Sequence, residues 1–254
     1  MHKSCSLMPR ANATKPTETQ RQRLKHGNEE PMSTHQPEHQ AETGAHELGD
    51  VRVPAAVTHA ETVFDGAIFD ITRETFTMPG EDAPITREFM THPGAVGILA
   101  VDEHGRILLQ KQRRQPVRAE LWEVPAGLLD VEGEPALDAA RRELAEEADL
   151  RADTWHVLAD HYMSPGCSSE AMRIYLAQDL HEIPENERHE RTEEEAFLEP
   201  QWVPFEDAVT AVLSGRIGNP TTVVGILALA AHKARGNQTL RPADAPWPAR
   251  PHHA

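Results

Sequence analysis

Residues 140–150 read ARRELAEEADL. On a helix of 3.6 residues per turn, Glu143, Glu146 and Glu147 fall at i, i+3 and i+4, so three carboxylates share one face and repel. Something must offset that repulsion. The helix itself is predicted from about Glu134 to Ala148: Pro135 suits its first turn, and Leu137, Ala140, Leu144 and Ala148 form an apolar stripe at spacings of three and four. Taken alone, a charged run of this kind usually marks a solvated face, here with Arg142 and Glu146 as an i,i+4 pair.

Upstream, AVGILAVDEHGRILLQKQ, from Ala95, places two strongly apolar strands either side of DEHG, which predicts a hairpin whose near-continuous apolar runs are buried on both faces. Before it, residues 54–94 alternate apolar and polar positions around the turn PGED, as a small antiparallel β unit would. Downstream, WHVLADHYM and AMRIYLAQ read as strands joined by the loop SPGCSSE. PFEDAVTAVLSG and NPTTVVGILALAAHKA read as helices, the last apolar nearly all round and therefore expected to be buried.

The folded part is expected between two tails. Residues 1–50 contain no Val, Ile, Phe, Tyr or Trp, and a segment that cannot bury apolar surface cannot offset its ordering entropy, so it reads as a disordered leader. Met32 offers an alternative start. The stretch 236–254, with four prolines among the final thirteen residues, reads as a disordered tail.

Composition excludes several classes. With a formal net charge of −16, the chain is not expected to bind nucleic acid through a basic surface; if it handles phosphates, a cation mediates. Two cysteines, Cys5 and Cys167, support neither a disulfide framework nor a thiolate zinc cage. The longest apolar runs fall far short of the roughly 20 residues that cross a bilayer, and the first residues lack an apolar signal core, so the expectation is a cytoplasmic protein without membrane contact.

The longer frame GLLDVEGEPALDAARRELAEEADL, residues 127–150, resembles the Nudix box: Gly, five residues, Glu, seven residues, Arg-Glu-aliphatic, one residue, Glu-Glu, one residue, Gly, aliphatic. Glu134, Arg142, Glu143, Leu144, Glu146 and Glu147 match in register, and Leu150 closes the pattern. There are two departures. Six residues rather than five separate Gly127 from Glu134, and Asp149 stands where the pattern has Gly, at a left-handed cap that Asp tolerates better than most residues. The resemblance implies an α+β fold, a mixed β-sheet sandwiched between helices (α/β/α) over residues 95–235, with the antiparallel unit of 54–94 mediating a homodimer. It also implies that the clustered carboxylates hold Mg²⁺, with Mn²⁺ as a substitute: Glu143 and Glu147 as principal ligands, Glu146 assisting and the Ala126 carbonyl contributing. Arg142, Glu134 and Gly127 would orient those ligands, and Arg142 and Glu147 would share in the catalysis.

Flanking segments resemble the ADP-ribose pyrophosphatase branch of that family. Pro165 lies fifteen residues beyond Leu150, as the branch's proline does, and with Gly166 it is implied to contact substrate. QKQRR implies Arg114, and Arg113 beside it, near the substrate phosphates, because a guanidinium fork holds two phosphate oxygens. Glu123, just before VPAG, is a further candidate for metal or substrate. In this branch the base comes from an acidic loop; in RTEEEAFLEPQW that points to Glu194, with Glu195 as the neighbour to test. The implied reaction cleaves the diphosphate of ADP-ribose to AMP and ribose 5-phosphate. Two alternatives remain open: hydrolysis of another nucleotide sugar, an ADP-sugar or GDP-mannose, and a sensor that binds ADP-ribose without cleaving it.

Overall fold

The computed structural model describes residues 48–191, 195–237 and 240–250. Most of the expected leader, residues 1–47, lies outside the described residues. The chain divides into two units, Met1–Arg52 and Val53–Ala254, and all regular structure described below belongs to the second.

Three strands open it: β1 (Ala56–Phe64), β2 (Asp70–Thr77) and β3 (Pro84–Thr91) form an antiparallel meander in which β2 is central. Its strands are tied by polar ladders. Thr72 meets Thr91, Thr75 meets Thr86, and Arg73 bridges Glu61 and Glu88 across all three strands. Exposed pairs of this sort contribute at most about 1 kcal/mol each, and every residue of β1 is exposed, so the meander has little core of its own.

Five strands then build a mixed sheet in the order β11-β8-β9-β4-β7, from β4 (Ala95–Ala100), β7 (Ala126–Leu128), β8 (Leu150–Tyr162), β9 (Ala171–Glu182) and β11 (Arg241–Pro242). Only the central pair, β4 with β9, runs parallel. Its two-faced burial explains the apolar run of β4. Val96, Ile98 and Ala100 pack with Ala139, Ala140 and Leu144 of helix α1 (Ala136–Ala148), whereas Ala95 and Leu99 pack with Ile226 and Leu229 of helix α3 (Pro220–Ala234). Helix α2 (Phe205–Leu213) adds Phe205 and Ala208 to the second face. The expected α+β architecture, a mixed sheet between helices, is present.

Three expectations need correction. The strands flanking DEHG do not form an extended hairpin: after a turn at Asp102–Gly105 and one antiparallel bridge, Val101 to Ile107, β5 (Arg106–Arg114) leaves to pair with β6 (Ala119–Glu123) and β10 (Gln201–Pro204) in a separate three-stranded sheet. Burial of β5 by different partners overrides the local turn. Helix α3 buries one face only, through Thr221, Thr222, Gly225, Ile226 and Leu229, because the sheet covers just that side. The segment expected as a disordered tail is not one over 240–250: β11 pairs with the edge of β8, and Ala243, Ala245 and Trp247 join the α1 side of the core. Among the described residues no helix is long and apolar enough to cross a membrane.

Candidate active site

Helix α1 starts after Pro135, which has no side-chain cap, and ends at Asp149, whose φ of 55° and ψ of 35° form the left-handed cap predicted for the departure from Gly. Asp149 also receives Arg191 Nη2 at 2.5 Å, while Arg191 Nε donates to the Glu146 carbonyl at 2.8 Å. The helix C-terminus is thus bound to the start of the acidic loop.

The repulsion among the helix carboxylates is offset from within the chain. Arg142 donates Nη1 to Glu143 Oε1 at 2.6 Å and to Glu146 Oε2 at 3.2 Å, and grips Glu134 with Nε and Nη2 at 3.2 and 3.1 Å. The Glu134 hydrogen bonds, and then the charge of Glu143, raise the Arg142 pKa against a burial that lowers it, so the guanidinium stays protonated. Among the described residues no three His, Cys, Asp or Glu side chains converge as a ready cage.

Glu143 and Glu147 are nevertheless buried and held in place. Glu147 Oε2 accepts Gln110 Nε2 at 2.7 Å and the Ala126 backbone N–H at 3.0 Å. Glu143 nests on Gly127, where a Cβ would overlap its Cγ, Cδ and Oε1, so only glycine allows this approach of strand β7 to the helix. Carboxylates and backbone carbonyls are the oxygen donors that hard divalent cations take, and this donor set fits such an ion.

Ala126 and Gly127 also line a cleft of about 480 Å³ with Glu123, Arg114, His92, Glu170 and the exposed apolar side chains of Ile68 and Phe69. Within it Arg114 and Glu123 form a forked pair, Nε and Nη2 to the two carboxylate oxygens at 3.0 and 2.8 Å. Glu123 is almost wholly buried. Burial lowers the His92 pKa, and its Nδ1 accepts the Gly94 N–H at 3.0 Å.

A model of the NUDIX domain family matches residues 91–221. The chain belongs to the NUDIX family. It is 44% identical over 192 residues to a protein of Mycobacterium tuberculosis named ADP-ribose pyrophosphatase, covering 76% of this chain and 90% of that one. A Bacillus subtilis protein of the same name is 34% identical over 166 residues, covering 65% of this chain and 87% of its own. A crystal structure of an ADP compounds hydrolase superposes with a TM-score of 0.58 at 20% identity, covering 75% of this chain and all (100%) of that one, a likeness of fold.

The site residues expected from this NUDIX chain's sequence are only partly brought together. Glu134, Arg142, Glu143 and Glu146 form one connected cluster, and Glu147, Ala126, Gly127, Glu123 and Arg114 gather where the cleft meets α1. Arg113 does not join them: neighbours on a strand point oppositely, and its exposed guanidinium lies toward Gln115 at 3.4 Å. Pro165 and Gly166 line a separate cleft of about 380 Å³ with Phe76, Arg87 and Phe89 of the meander, because their loop is stitched to β3 through Met90 N–H to the Cys167 carbonyl at 2.8 Å and Ser169 N–H to the Met90 carbonyl at 2.9 Å. Glu194 lies outside the described residues, and so does the side chain of Glu195. Gln110 was missed, although a polar residue at an inward position after Ile107, Leu108 and Leu109 was a signal. Arg191 gave none, since its partners lie more than forty residues earlier.

Proposed function

We propose that this NUDIX enzyme hydrolyses the diphosphate bond of ADP-ribose to AMP and ribose 5-phosphate with the help of Mg²⁺, Mn²⁺ serving as a substitute. The observation that carries the reading is the meeting of two buried carboxylates, Glu143 and Glu147, with Ala126 and Gly127 of strand β7 at the end of a cleft that holds the Arg114–Glu123 fork. The relatives named ADP-ribose pyrophosphatase support the choice of substrate over another nucleotide sugar.

Glu143 and Glu147 would hold the cation with the Ala126 carbonyl, and Glu146 would assist from the same helix face. A divalent cation held there would supply Lewis-acid polarisation of a phosphoryl oxygen and would lower the pKa of an attacking water toward neutrality. Gln110 fixes Glu147 for that task, and Arg142 and Glu134 fix Glu143. Arg114, held by Glu123, would bring its positive charge to the phosphate oxygens. Glu194 would take the proton from the attacking water, with Glu195 as its neighbour in the loop.

The meander supports a homodimer. It exposes Val57, Val63, Phe64 and Met78 while having little core of its own, and such apolar surface is usually covered by a partner. A second copy seated there would also close the cleft lined by Pro165 and Gly166. The net charge of −16 and sparse cysteines suit a cytoplasmic enzyme that binds neither nucleic acid nor membrane.

The test is to incubate the purified protein with Mg²⁺ and, separately, ADP-ribose, GDP-mannose, NADH, diadenosine polyphosphates and nucleoside triphosphates. Preferential release of AMP from ADP-ribose is expected. Faster turnover of another compound would overturn the substrate, and binding of ADP-ribose without cleavage would make the protein a sensor.

A further inference from the structure

We propose that residues 240–250 form a strap that positions the loop entering α1, with Arg250 as its positioning residue. This rests on the reading of α1 as the cation-binding helix.

The strap is anchored at several points. Arg173, near the start of β9 and only 2% exposed, needs partners for its charge. Asp160 supplies two, at 2.8 and 2.9 Å, and the strap supplies two more: the carbonyls of Ala245 and Pro246 accept its Nη1 and Nη2 at 2.7 and 3.1 Å. The Trp247 ring lies 4.9 Å from the same guanidinium, a cation–π contact. Arg241 closes on Asp160 at 2.7 Å, and β11 pairs Arg241 with Val157 and Pro242 with His156 on the edge of the sheet. A buried cation and an added strand thus fix the path of the segment.

That path ends at the box. Arg250 Nη2 donates to the Glu134 carbonyl at 2.9 Å, across 116 positions of chain. Glu134 is the residue whose carboxylate grips Arg142, and Arg142 in turn holds Glu143 and Glu146. Among the described residues the approach to Glu134 is otherwise held by Leu129 N–H to the Gly94 carbonyl at 3.0 Å and by Glu134 N–H to the Val131 carbonyl at 3.2 Å. Residues 130–133 are exposed, the loop is one residue longer than the family's pattern, and α1 begins without a side-chain cap. A longer, uncapped entry samples more conformations, and a donor fixed on the body of the protein narrows them. The strap restrains the orientation of Glu134 and so of the carboxylates beyond it.

The test uses the full-length chain and Mn²⁺ as probe. Binding of Mn²⁺ is measured by calorimetry for the wild type, Arg250→Ala and Arg250→Lys, with ADP-ribose kinetics alongside and melting curves to confirm that each is folded at the assay temperature. Partners that orient ligands typically change metal affinity or activity about 10- to 100-fold; one further removed, Arg250→Ala should weaken Mn²⁺ by about threefold to tenfold and lower kcat similarly at unchanged KM. Arg250→Lys, still able to donate to the carbonyl, should recover most of the loss. Equal Mn²⁺ affinity and kcat in Arg250→Ala would overturn the strap's role while leaving the cation site standing. A wild type that does not bind Mn²⁺ would overturn both. Weakened Mn²⁺ binding in the variant supports the strap even if ADP-ribose proves not to be the substrate.

Discussion

Gln110 of β5 reaches Glu147 of α1 across the core, its amide donating to the carboxylate at 2.7 Å with both side chains buried. The contact joins a strand of one sheet to the helix that covers another. Its removal tests how much the cation site depends on orientation. Gln110→Leu should lower turnover about 10- to 100-fold and raise the Mg²⁺ concentration needed for half-maximal rate, whereas Glu147→Gln should abolish most turnover with the circular dichroism spectrum unchanged. Wild-type rates in Glu147→Gln would remove that residue from the metal site.

Gly127 is tested by a single methyl group. Since a Cβ there overlaps Glu143, Gly127→Ala must push the carboxylate or strand β7 aside. Overpacking of this kind costs about 1–3 kcal/mol, readable as a shifted urea midpoint, and a loss of turnover should accompany it. A variant with both quantities unchanged would mean that strand β7 yields without cost.

Arg142→Ala strips the shared counter-charge from Glu134, Glu143 and Glu146. Without divalent cations the variant should be less stable by roughly 1–3 kcal/mol, the usual cost of leaving such groups without a partner. Saturating Mg²⁺ should then raise its melting temperature more than it raises that of the wild type. An equal rise in both would separate Arg142 from the cation site.

Glu194→Gln should reduce kcat far more than it alters KM, as expected for a group that acts only in the transition state. If Glu195→Gln shows that pattern instead, the base lies one residue on.

Two histidines set a pH dependence of stability. Burial lowers the pKa of both His92 and His161, outweighing the raising effect of Glu170 and Asp160 respectively. Each folded value therefore lies below the ordinary one of about 6.5, so the unfolded chain binds more protons as the pH falls through that range. Their contribution is complete above about pH 6.5 and is lost as the pH drops through the folded values. Among the described residues neither ring nitrogen of His161 has a hydrogen-bond partner, so His161→Phe should flatten the acid side of the stability curve in urea melts at pH 7.5 and 5.5. An unchanged slope would show that other groups dominate it.

Much of this was legible in the sequence because the deciding interactions are local or periodic. The α1 stripe and the carboxylate register are fixed by residues within two turns, and the unbroken apolar run of β4 could only belong to a strand covered on both sides. What was not legible depends on distant partners. The turn at Asp102–Gly105 was correctly placed, but which sheet each flanking strand joins is decided by β9 and β10, more than seventy residues away. The proline-rich C-terminal segment looks unfoldable by itself, and its path is set by distant partners: the edge of β8, the core around Trp247, and Arg173. Arg113 and Arg114 are equivalent in sequence; the pleat of β5 turns one toward Glu123 and the other toward solvent.

If the proposed cation site stands, the internal counter-ion at position 142 would separate two events that many metalloproteins must perform together. Small zinc modules wait for their ion before they can fold, because the ligands have nothing else to hold them. On the proposed reading, Arg142 already holds Glu134, Glu143 and Glu146 in place before an ion arrives, so a cation would meet ligands whose positions are set in advance.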